Sequence, residues 1–274
     1  MQSGPIGIFD SGYGGLTILS EIAKLMPEYD YIYLGDNART PYGTRSFETV
    51  YTFTLQAVKR LMHMGSPLVI LACNTASAKA LRTIQQRDLE KIEPSRRILG
   101  VIRPTVEIIG NITKSRKIGI LGTTGTIQSQ SYTLEINKLY PDMEVFGQAC
   151  PMLVPIVENE EHKSPGADYF IKKYIDELIS KSPEIDTVIL GCTHYPMLID
   201  KIIKYLPEGV TPVSQGGLVA ASLKDYLIRH PEMENRCTRG GKILYYTTDS
   251  ADKFESAAKL FLDKNITAEK INLE

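Results

Sequence analysis

The fold is decided by one apolar stretch, residues 68–77, with the sequence LVILACNTAS. The apolar run ends in Cys73 and is followed by polar and small residues. This predicts a buried strand with a thiol at its end, and then a helix that begins with capping residues. The pattern returns in residues 187–196, TVILGCTHYP, where the run ends in Cys192. Two such stretches indicate two copies of one structural unit that bring two thiols to a common place.

A second pattern also occurs twice. Residues 5–15, PIGIFDSGYGG, and residues 117–126, KIGILGTTGT, each contain an apolar strand followed by a polar turn with glycine. Apolar residues at helical spacing follow both turns. Each later stretch lies roughly 115 residues after its counterpart, as an ancient duplication of a half-chain unit would give.

Strand and helix patterns alternate along the whole chain, which predicts an α/β fold. We expect two similar domains, related by a pseudo-two-fold axis, whose parallel-rich sheets are flanked by helices. The first domain is predicted to comprise residues 1–97 plus 212–274, and the second residues 98–211. Ligands bind at the carboxyl ends of strands in open parallel sheets, so the active site is expected in the cleft between the domains.

Composition narrows the class of protein. The chain has 274 residues, a net charge of −1 and a hydrophobic fraction of 43%, which is typical of a globular protein and argues against nucleic-acid or anionic-membrane partners. No apolar run approaches the roughly 20 residues of a membrane span, and no secretion signal is evident, so the expected location is the cytoplasm. The 4 cysteines include no C-x-x-C pair, and the 4 histidines are scattered, so no metal site is expected.

Two thiols on opposite sides of a small cleft suit one chemical task. Inversion of a stereocentre beside a carboxylate needs a base on one face and an acid on the other, and two residues of one type can exchange these roles. A free thiol has a pKa of about 8.5, so one thiolate and one thiol are accessible near neutrality. Donors near Ser11, Asn74 and Thr193 would stabilise the carbanion.

Four motifs together resemble those of glutamate racemases, in the aspartate/glutamate racemase superfamily. They are FDSGxGG from residue 9, GDxARxPYG from residue 35, ACNTAS from residue 72 and GCTHYP from residue 191. VPxVE from residue 154 also matches. The resemblance implies cofactor-independent interconversion of L- and D-glutamate, supplying D-glutamate for peptidoglycan, in a homodimer.

The resemblance also implies roles for individual residues. Cys73 and Cys192 would be the two acid/base residues, with Asp10, His194 and Glu158 assisting catalysis. The substrate-binding residues would be Asp10, Ser11, Tyr42, Gly43, Asn74, Thr75, Thr123, Thr126, Thr193 and His194. The chain departs from the family at residues 213–216, VSQG, where many members have an Asp-Ser pair. It is also expected to lack the regulatory N-terminal extension of some members.

Other interpretations stay open at this point. An aspartate or hydantoin racemase would share the motifs, because the patterns do not reveal the volume of the cleft. A non-catalytic protein that binds amino acids or nucleotides would use both cysteines only for packing, as most buried cysteines are used. Cys150 and Cys237 are predicted to be core or surface residues.

Overall fold

The computed structural model describes residues 3–273, which form an α/β structure with two sheets. The strands are β1 (Ile6–Asp10), β2 (Tyr31–Gly35), β3 (Leu68–Leu71), β4 (Arg97–Gly100), β5 (Lys117–Gly122), β6 (Glu144–Ala149), β7 (Thr187–Gly191), β8 (Thr211–Val213), β9 (Ile243–Thr247) and β10 (Ala268–Lys270).

Helices connect almost all of these strands. They are α1 (Leu16–Leu25), α2 (Phe47–His63), α3 (Asn74–Lys79), α4 (Leu81–Thr83), α5 (Leu89–Ile92), α6 (Ile102–Ile109), α7 (Thr124–Gln128), α8 (Ser131–Leu139), α9 (Leu153–Glu158), α10 (Pro165–Ile179), α11 (Ile199–Tyr205), α12 (Gly216–Arg229), α13 (Pro231–Glu234) and α14 (Ala251–Leu262). A π-helical turn, Ile84–Asp88, joins α4 to α5, and 3₁₀ turns lie at Glu161–Lys163 and Tyr195–Leu198. No helix within residues 3–273 has both the length and the apolar character needed to cross a membrane.

The two sheets repeat one strand order. The first sheet is ordered β10-β9-β2-β1-β3-β4, and the second is ordered β6-β5-β7-β8. Their strand pairings are parallel in both sheets. The segment β2-β1-β3-β4 of the first sheet therefore matches the whole second sheet, strand for strand. This shared order confirms the prediction of two similar units with parallel sheets.

Both faces of each sheet are covered. In β1, Ile6 and Ile8 belong to the core that contains residues of α1, α12 and α14, whereas Phe9 belongs to the core beneath α2 and α3. The second sheet likewise lies between a core with residues of α9 to α11 and a core with residues of α6 and α8. Successive side chains of a strand point to opposite faces, so each strand contributes to both cores.

Two strands cross the predicted domain limits of 97/98 and 211/212. β4 continues within the first sheet to Gly100, because Leu99 and Gly100 pair with Ile70 and Leu71 of β3. β8 belongs to the second sheet, because Thr211, Pro212 and Val213 pair with β7. The division into residues 1–97 plus 212–274 and residues 98–211 stays a proposal. Its limits need to move so that β4 belongs to the first unit and β8 to the second.

Candidate active site

The two predicted cysteines end equivalent strands. Cys73 follows β3 and occupies the N-cap of α3, where its Sγ accepts a hydrogen bond from the Ala76 backbone N–H at 3.4 Å. Cys192 follows β7, which takes the same place in the second sheet as β3 in the first. Both side chains are buried, at 5% and 6% exposure.

A cavity of about 110 Å³ contains both thiols in its wall. Ten of the thirteen predicted site residues line it: Ser11, Tyr42, Gly43, Cys73, Asn74, Thr75, Thr123, Cys192, Thr193 and His194. The other three are not in this wall, but each interacts with a residue that is. Asp10 raises the pKa of Cys73, and Thr126 and Glu158 lie within hydrogen-bond distance of Thr123 and His194, respectively. The motifs thus converge on one space, although they are far apart along the chain.

A carboxylate and a hydroxyl surround Cys73. Its Sγ lies 3.4 Å from Ser11 Oγ. Burial and the charge of Asp10 raise the pKa of Cys73 to about 12, although its hydrogen bonds with Ser11 and with the Ala76 N–H oppose the rise. The capping position therefore does not leave this thiol ionised, and Cys73 is protonated at neutral pH.

A different pair of groups accompanies Cys192. Its Sγ lies 3.8 Å from His194 Nδ1, and the other ring nitrogen of His194 lies 3.0 Å from Glu158 Oε1 at the end of α9. Burial lowers the pKa of His194, but its hydrogen bonds to Cys192 and Glu158 and their charges outweigh this and raise it to about 10. An imidazolium therefore stands beside Cys192 at neutral pH.

Asp10 is a buried carboxyl with an incomplete set of hydrogen bonds. Its Oδ2 accepts from the Gly12 N–H at 2.9 Å, while its Oδ1 has no hydrogen-bond partner among residues 3–273. Burial raises the pKa of Asp10, and the charge of His194 and the N–H groups of Gly12 and Gly15 limit the rise. The unpartnered oxygen is available to a proton or to a bound cation.

Three threonine hydroxyls form a cluster where the two halves meet. Thr75 Oγ1 lies 2.9 Å from Thr123 Oγ1 and 3.4 Å from Thr126 Oγ1, and the last two lie 3.0 Å apart. Thr75 belongs to α3, whereas Thr123 caps α7 by accepting from the Thr126 N–H at 3.2 Å. Hydroxyls can donate or accept, so the cluster is suited to an anionic group.

Tyr42 and Gly43 belong to the loop after β2. The Tyr42 hydroxyl donates to the buried carboxylate of Asp36, which also accepts from Arg39 Nε at 2.7 Å. Burial and the charge of Asp36 hold the pKa of Tyr42 far above its usual range, so the hydroxyl stays a donor. Tyr42 therefore borders the cavity while its hydroxyl is engaged with Asp36. The Gly43 carbonyl accepts from the Gly125 N–H at 2.7 Å, which fixes the loop to α7.

Sequence reasoning missed several residues of the cavity wall. They are Thr40, Pro41, Thr44, Thr124, Cys150, Pro151, Val154 and Pro155. Cys150 is fully buried, as a core residue should be, yet it also borders the cavity. Cys150 directly follows β6, and β5 pairs with both β6 and β7, the strand that precedes Cys192. This position at a strand end was the sequence signal that could have identified Cys150.

Two other structural features bear on the site. A larger cavity of about 570 Å³ lies among α3, α4, α6, α8 and α12, but its wall contains neither Cys73 nor Cys192 nor any other predicted site residue. Within residues 3–273, no group of three or more His, Cys, Asp or Glu side chains is arranged to hold a metal ion. The paired thiols therefore define the smaller cavity as the candidate site.

Comparison with known proteins agrees with this geometry. The Asp/Glu/Hydantoin racemase family model matches residues 16–222. The glutamate racemase of a Ruegeria species is 39% identical over 274 aligned residues, covering 96% of this chain and 98% of the relative.

Two crystal structures of glutamate racemases superpose on nearly the whole chain. An isoform from Bacillus anthracis has a TM-score of 0.90 at 35% identity and covers 100% of this chain and 99% of its own. The Francisella tularensis enzyme, solved in complex with D-glutamate, has a TM-score of 0.88 at 32% identity with the same coverage. The chain therefore belongs to the Asp/Glu/Hydantoin racemase family of isomerases and, within it, to the glutamate racemases.

Proposed function

We propose that this protein interconverts L- and D-glutamate without a cofactor: one of the two cysteines, Cys73 or Cys192, removes the α-proton and the other donates its own proton to the opposite face. The observation that carries the proposal is the convergence of both thiols, from equivalent strands of two similar sheets, on one cavity. A base on one face of the α-carbon and an acid on the other invert the stereocentre.

The surroundings of the thiols suggest how protons are distributed at rest. Cys73 is protonated, since burial and Asp10 raise its pKa to about 12. The His194 imidazolium lies 3.8 Å from the Sγ of Cys192, through its Nδ1. In one direction the Cys192 thiolate takes the α-proton and the Cys73 thiol donates its own proton to the opposite face. In the other direction the two residues exchange roles.

The remaining polar residues would hold the substrate. Ser11, Asn74 and Thr193 border the cavity beside the thiols and supply donors for the α-carboxylate, which takes up charge in the carbanion. The hydroxyl cluster of Thr75, Thr123 and Thr126 supplies donors for the distal carboxylate. Asp10 would adjust the proton on Cys73, whose pKa is raised by its charge.

The decisive experiment is proton exchange in deuterium oxide. The protein is incubated with L-glutamate without cofactor, and α-proton exchange is followed by NMR together with optical rotation. Exchange with inversion is expected, and the absence of both would refute the proposal. Aspartate in a parallel sample tests the rival racemase, because faster inversion of aspartate would reassign the substrate.

Variants of the thiols test the mechanism separately. Cys73→Ser and Cys192→Ser should each lower racemisation by about 100-fold or more, because each removes an acid/base group. Cys237→Ser is the matched control, since Cys237 is also buried but lies outside the cavity and contacts the Met233 carbonyl. Near-full activity in either of the first two variants, with normal thermal unfolding, would exclude the two-thiol mechanism.

Three further statements rest on the family likeness. We infer that the D-glutamate supplies peptidoglycan synthesis, that the protein works in the cytoplasm and that it forms a homodimer. Complementation of a bacterium that requires D-glutamate tests the first statement. Sedimentation equilibrium tests the third, and a monomer at the concentrations used for assay would exclude it.

A further inference from the structure

Three buried side chains form a closed ring of hydrogen bonds beneath the cavity. Asn74 Nδ2 donates to Gln215 Oε1 at 2.7 Å, Gln215 Nε2 donates to the Tyr132 hydroxyl at 2.8 Å, and that hydroxyl donates to Asn74 Oδ1 at 2.6 Å. Each member donates one hydrogen bond and accepts one. All three side chains are at most 3% exposed, so water does not compete for these groups.

A backbone carbonyl sets the direction of the whole ring. Gln215 Nε2 lies 3.1 Å from the Val101 carbonyl oxygen, which can only accept a hydrogen bond. The amide nitrogen of Gln215 must therefore face Val101, and its oxygen must face Asn74. Thr105 Oγ1 on α6 lies 3.0 Å from the same nitrogen, so the two Nε2 hydrogens of Gln215 are shared among the Tyr132 hydroxyl, the Val101 carbonyl and Thr105.

The orientation of Gln215 then determines the orientation of Asn74. Because an oxygen of Gln215 faces Asn74, the Asn74 atom opposite it must be the donor Nδ2, and Asn74 Oδ1 must face Tyr132. A flipped Asn74 amide would place oxygen against oxygen in a buried site and leave the Tyr132 hydroxyl without an acceptor, which is unfavourable because buried polar groups need hydrogen-bond partners. Burial keeps the pKa of Tyr132 above its usual range, so its proton remains available.

Asn74 itself borders the cavity directly after Cys73 in the chain. An amide nitrogen carries two hydrogens, and only the hydrogen toward Gln215 has a hydrogen-bond acceptor among residues 3–273. On the basis of the proposed racemase function, we propose that Gln215 is a positioning residue: it locks the Asn74 carboxamide so that the second Nδ2 hydrogen is offered to the substrate carboxylate.

The ring also joins segments that are distant along the chain. Asn74 begins α3, Tyr132 lies on α8 and Gln215 precedes α12, so the ring forms only when both halves of the fold are assembled. The amide side chain of Gln215, which lies between β8 and α12, reaches Asn74, Tyr132 and the Val101 carbonyl at once.

A double-mutant cycle tests the proposal. Gln215→Leu removes the polar contacts of this side chain while keeping similar volume, and should lower kcat/KM for glutamate by about 10- to 100-fold. If Gln215 acts through Asn74, the same change in an Asn74→Ala background should alter kcat/KM by less than about 2-fold. We expect Tyr132→Phe to show a smaller loss that also disappears in the Asn74→Ala background.

Gln148→Leu is the matched control. Gln148 is another buried glutamine, which donates to Glu177 Oε2 at 2.7 Å outside the cavity, and its loss should change kcat/KM by less than about 2-fold. Thermal unfolding identifies a variant that does not fold, and Tyr132→Phe, which loses a single hydroxyl, then replaces Gln215→Leu in the cycle.

The outcomes separate this proposal from the function on which it rests. If Gln215→Leu lowers kcat/KM equally in the wild-type and Asn74→Ala backgrounds, Gln215 does not act through Asn74 and the proposal is overturned. Wild-type kcat/KM in the Asn74→Ala variant would also overturn it. A wild-type protein that exchanges no α-proton would instead refute the racemase function.

Discussion

Replacement of Gly14 by alanine tests how closely the two cysteine-bearing halves must approach. Gly14 lies in the turn after β1, and a Cβ there would lie 2.3 Å from Thr193 Oγ1 and 2.5 Å from His194 Nδ1. The Gly14 φ lies outside the left-handed region, so alanine is compatible with the backbone. The variant therefore adds one methyl group at the point where the turn after β1 contacts Thr193 and His194 of the other half.

The size of the effect follows from these distances. Ordinary van der Waals contact begins near 3.4 Å, so the His194 ring must retreat by about 1 Å. The Thr193 hydroxyl can rotate away, but the two nitrogens of the His194 ring are held by Cys192 and Glu158. A displacement of about 1 Å among catalytic groups lowers the rate by about 100-fold. Overpacking also costs about 1–3 kcal/mol in the free energy of unfolding.

The assay compares kcat/KM for both enantiomers of glutamate with thermal unfolding of the same preparations. Gly217→Ala is the control, because a Cβ at Gly217 meets no atom within 4 Å. It should leave kcat/KM within about 2-fold of wild type. If Gly14→Ala retains wild-type kcat/KM in both directions, the close approach of the two halves is not needed for activity and the reasoning is wrong.

Three further variants probe charge and packing. Glu158→Gln removes a group that raises the pKa of His194, so the alkaline limit of the kcat/KM profile should move to lower pH. Burial raises the pKa of Asp186, but its hydrogen bonds outweigh this and lower it to about 2 from 3.8. Its contribution to stability is therefore present above pH 3.8 and is lost as the pH falls toward 2. The deficit of Asp186→Asn in urea unfolding should be largest above pH 3.8 and shrink below it. Phe254→Ala should cost about 3–5 kcal/mol in the same assay, because Phe254 is fully buried with its ring centroid 5.9 Å from that of Tyr33.

The strand ends could be predicted because their signal is local. An apolar run that stops at Cys73 or Cys192 identifies a strand and its carboxyl end without reference to other residues. Ligands bind at the carboxyl ends of open parallel sheets, so the same strand end repeated in two sheets predicted that the two thiols face one cleft. The structure shows that the sequence repeat corresponds to a repeated strand order in the two sheets.

Helix faces were harder to predict where neighbours decide exposure. Ser46 caps α2, accepting from the Thr49 N–H at 3.1 Å, and the apolar Phe47 that follows it is 54% exposed. The buried residues of α2 begin only at Val50. The predicted helix after Thr123 is divided into α7 and α8 at Gln130, whose φ is 56°. The apolar Leu134 of α8 is 52% exposed.

The partners of side-chain hydrogen bonds could not be predicted, whether they are near or distant in sequence. Tyr42 lies in a motif that suggested contact with the substrate, yet its hydroxyl donates to Asp36. Gln215 was visible only as a departure from a family pattern, and its partners Asn74 and Tyr132 lie 141 and 83 residues away. Such partnerships depend on how helices are placed over a sheet, which periodicity does not encode.

The two thiols occupy equivalent positions, yet the charges near them are opposite. Asp10 acts on Cys73, and His194 lies beside Cys192. In the proposed mechanism each thiol must release a proton in one direction and accept one in the other, so a productive resting state needs one thiolate and one thiol. Identical neighbours would tend to leave both thiols protonated or both ionised. In this proposed mechanism the neighbouring ionisable groups, which differ while the strand order is the same, would therefore distinguish the two faces of the substrate.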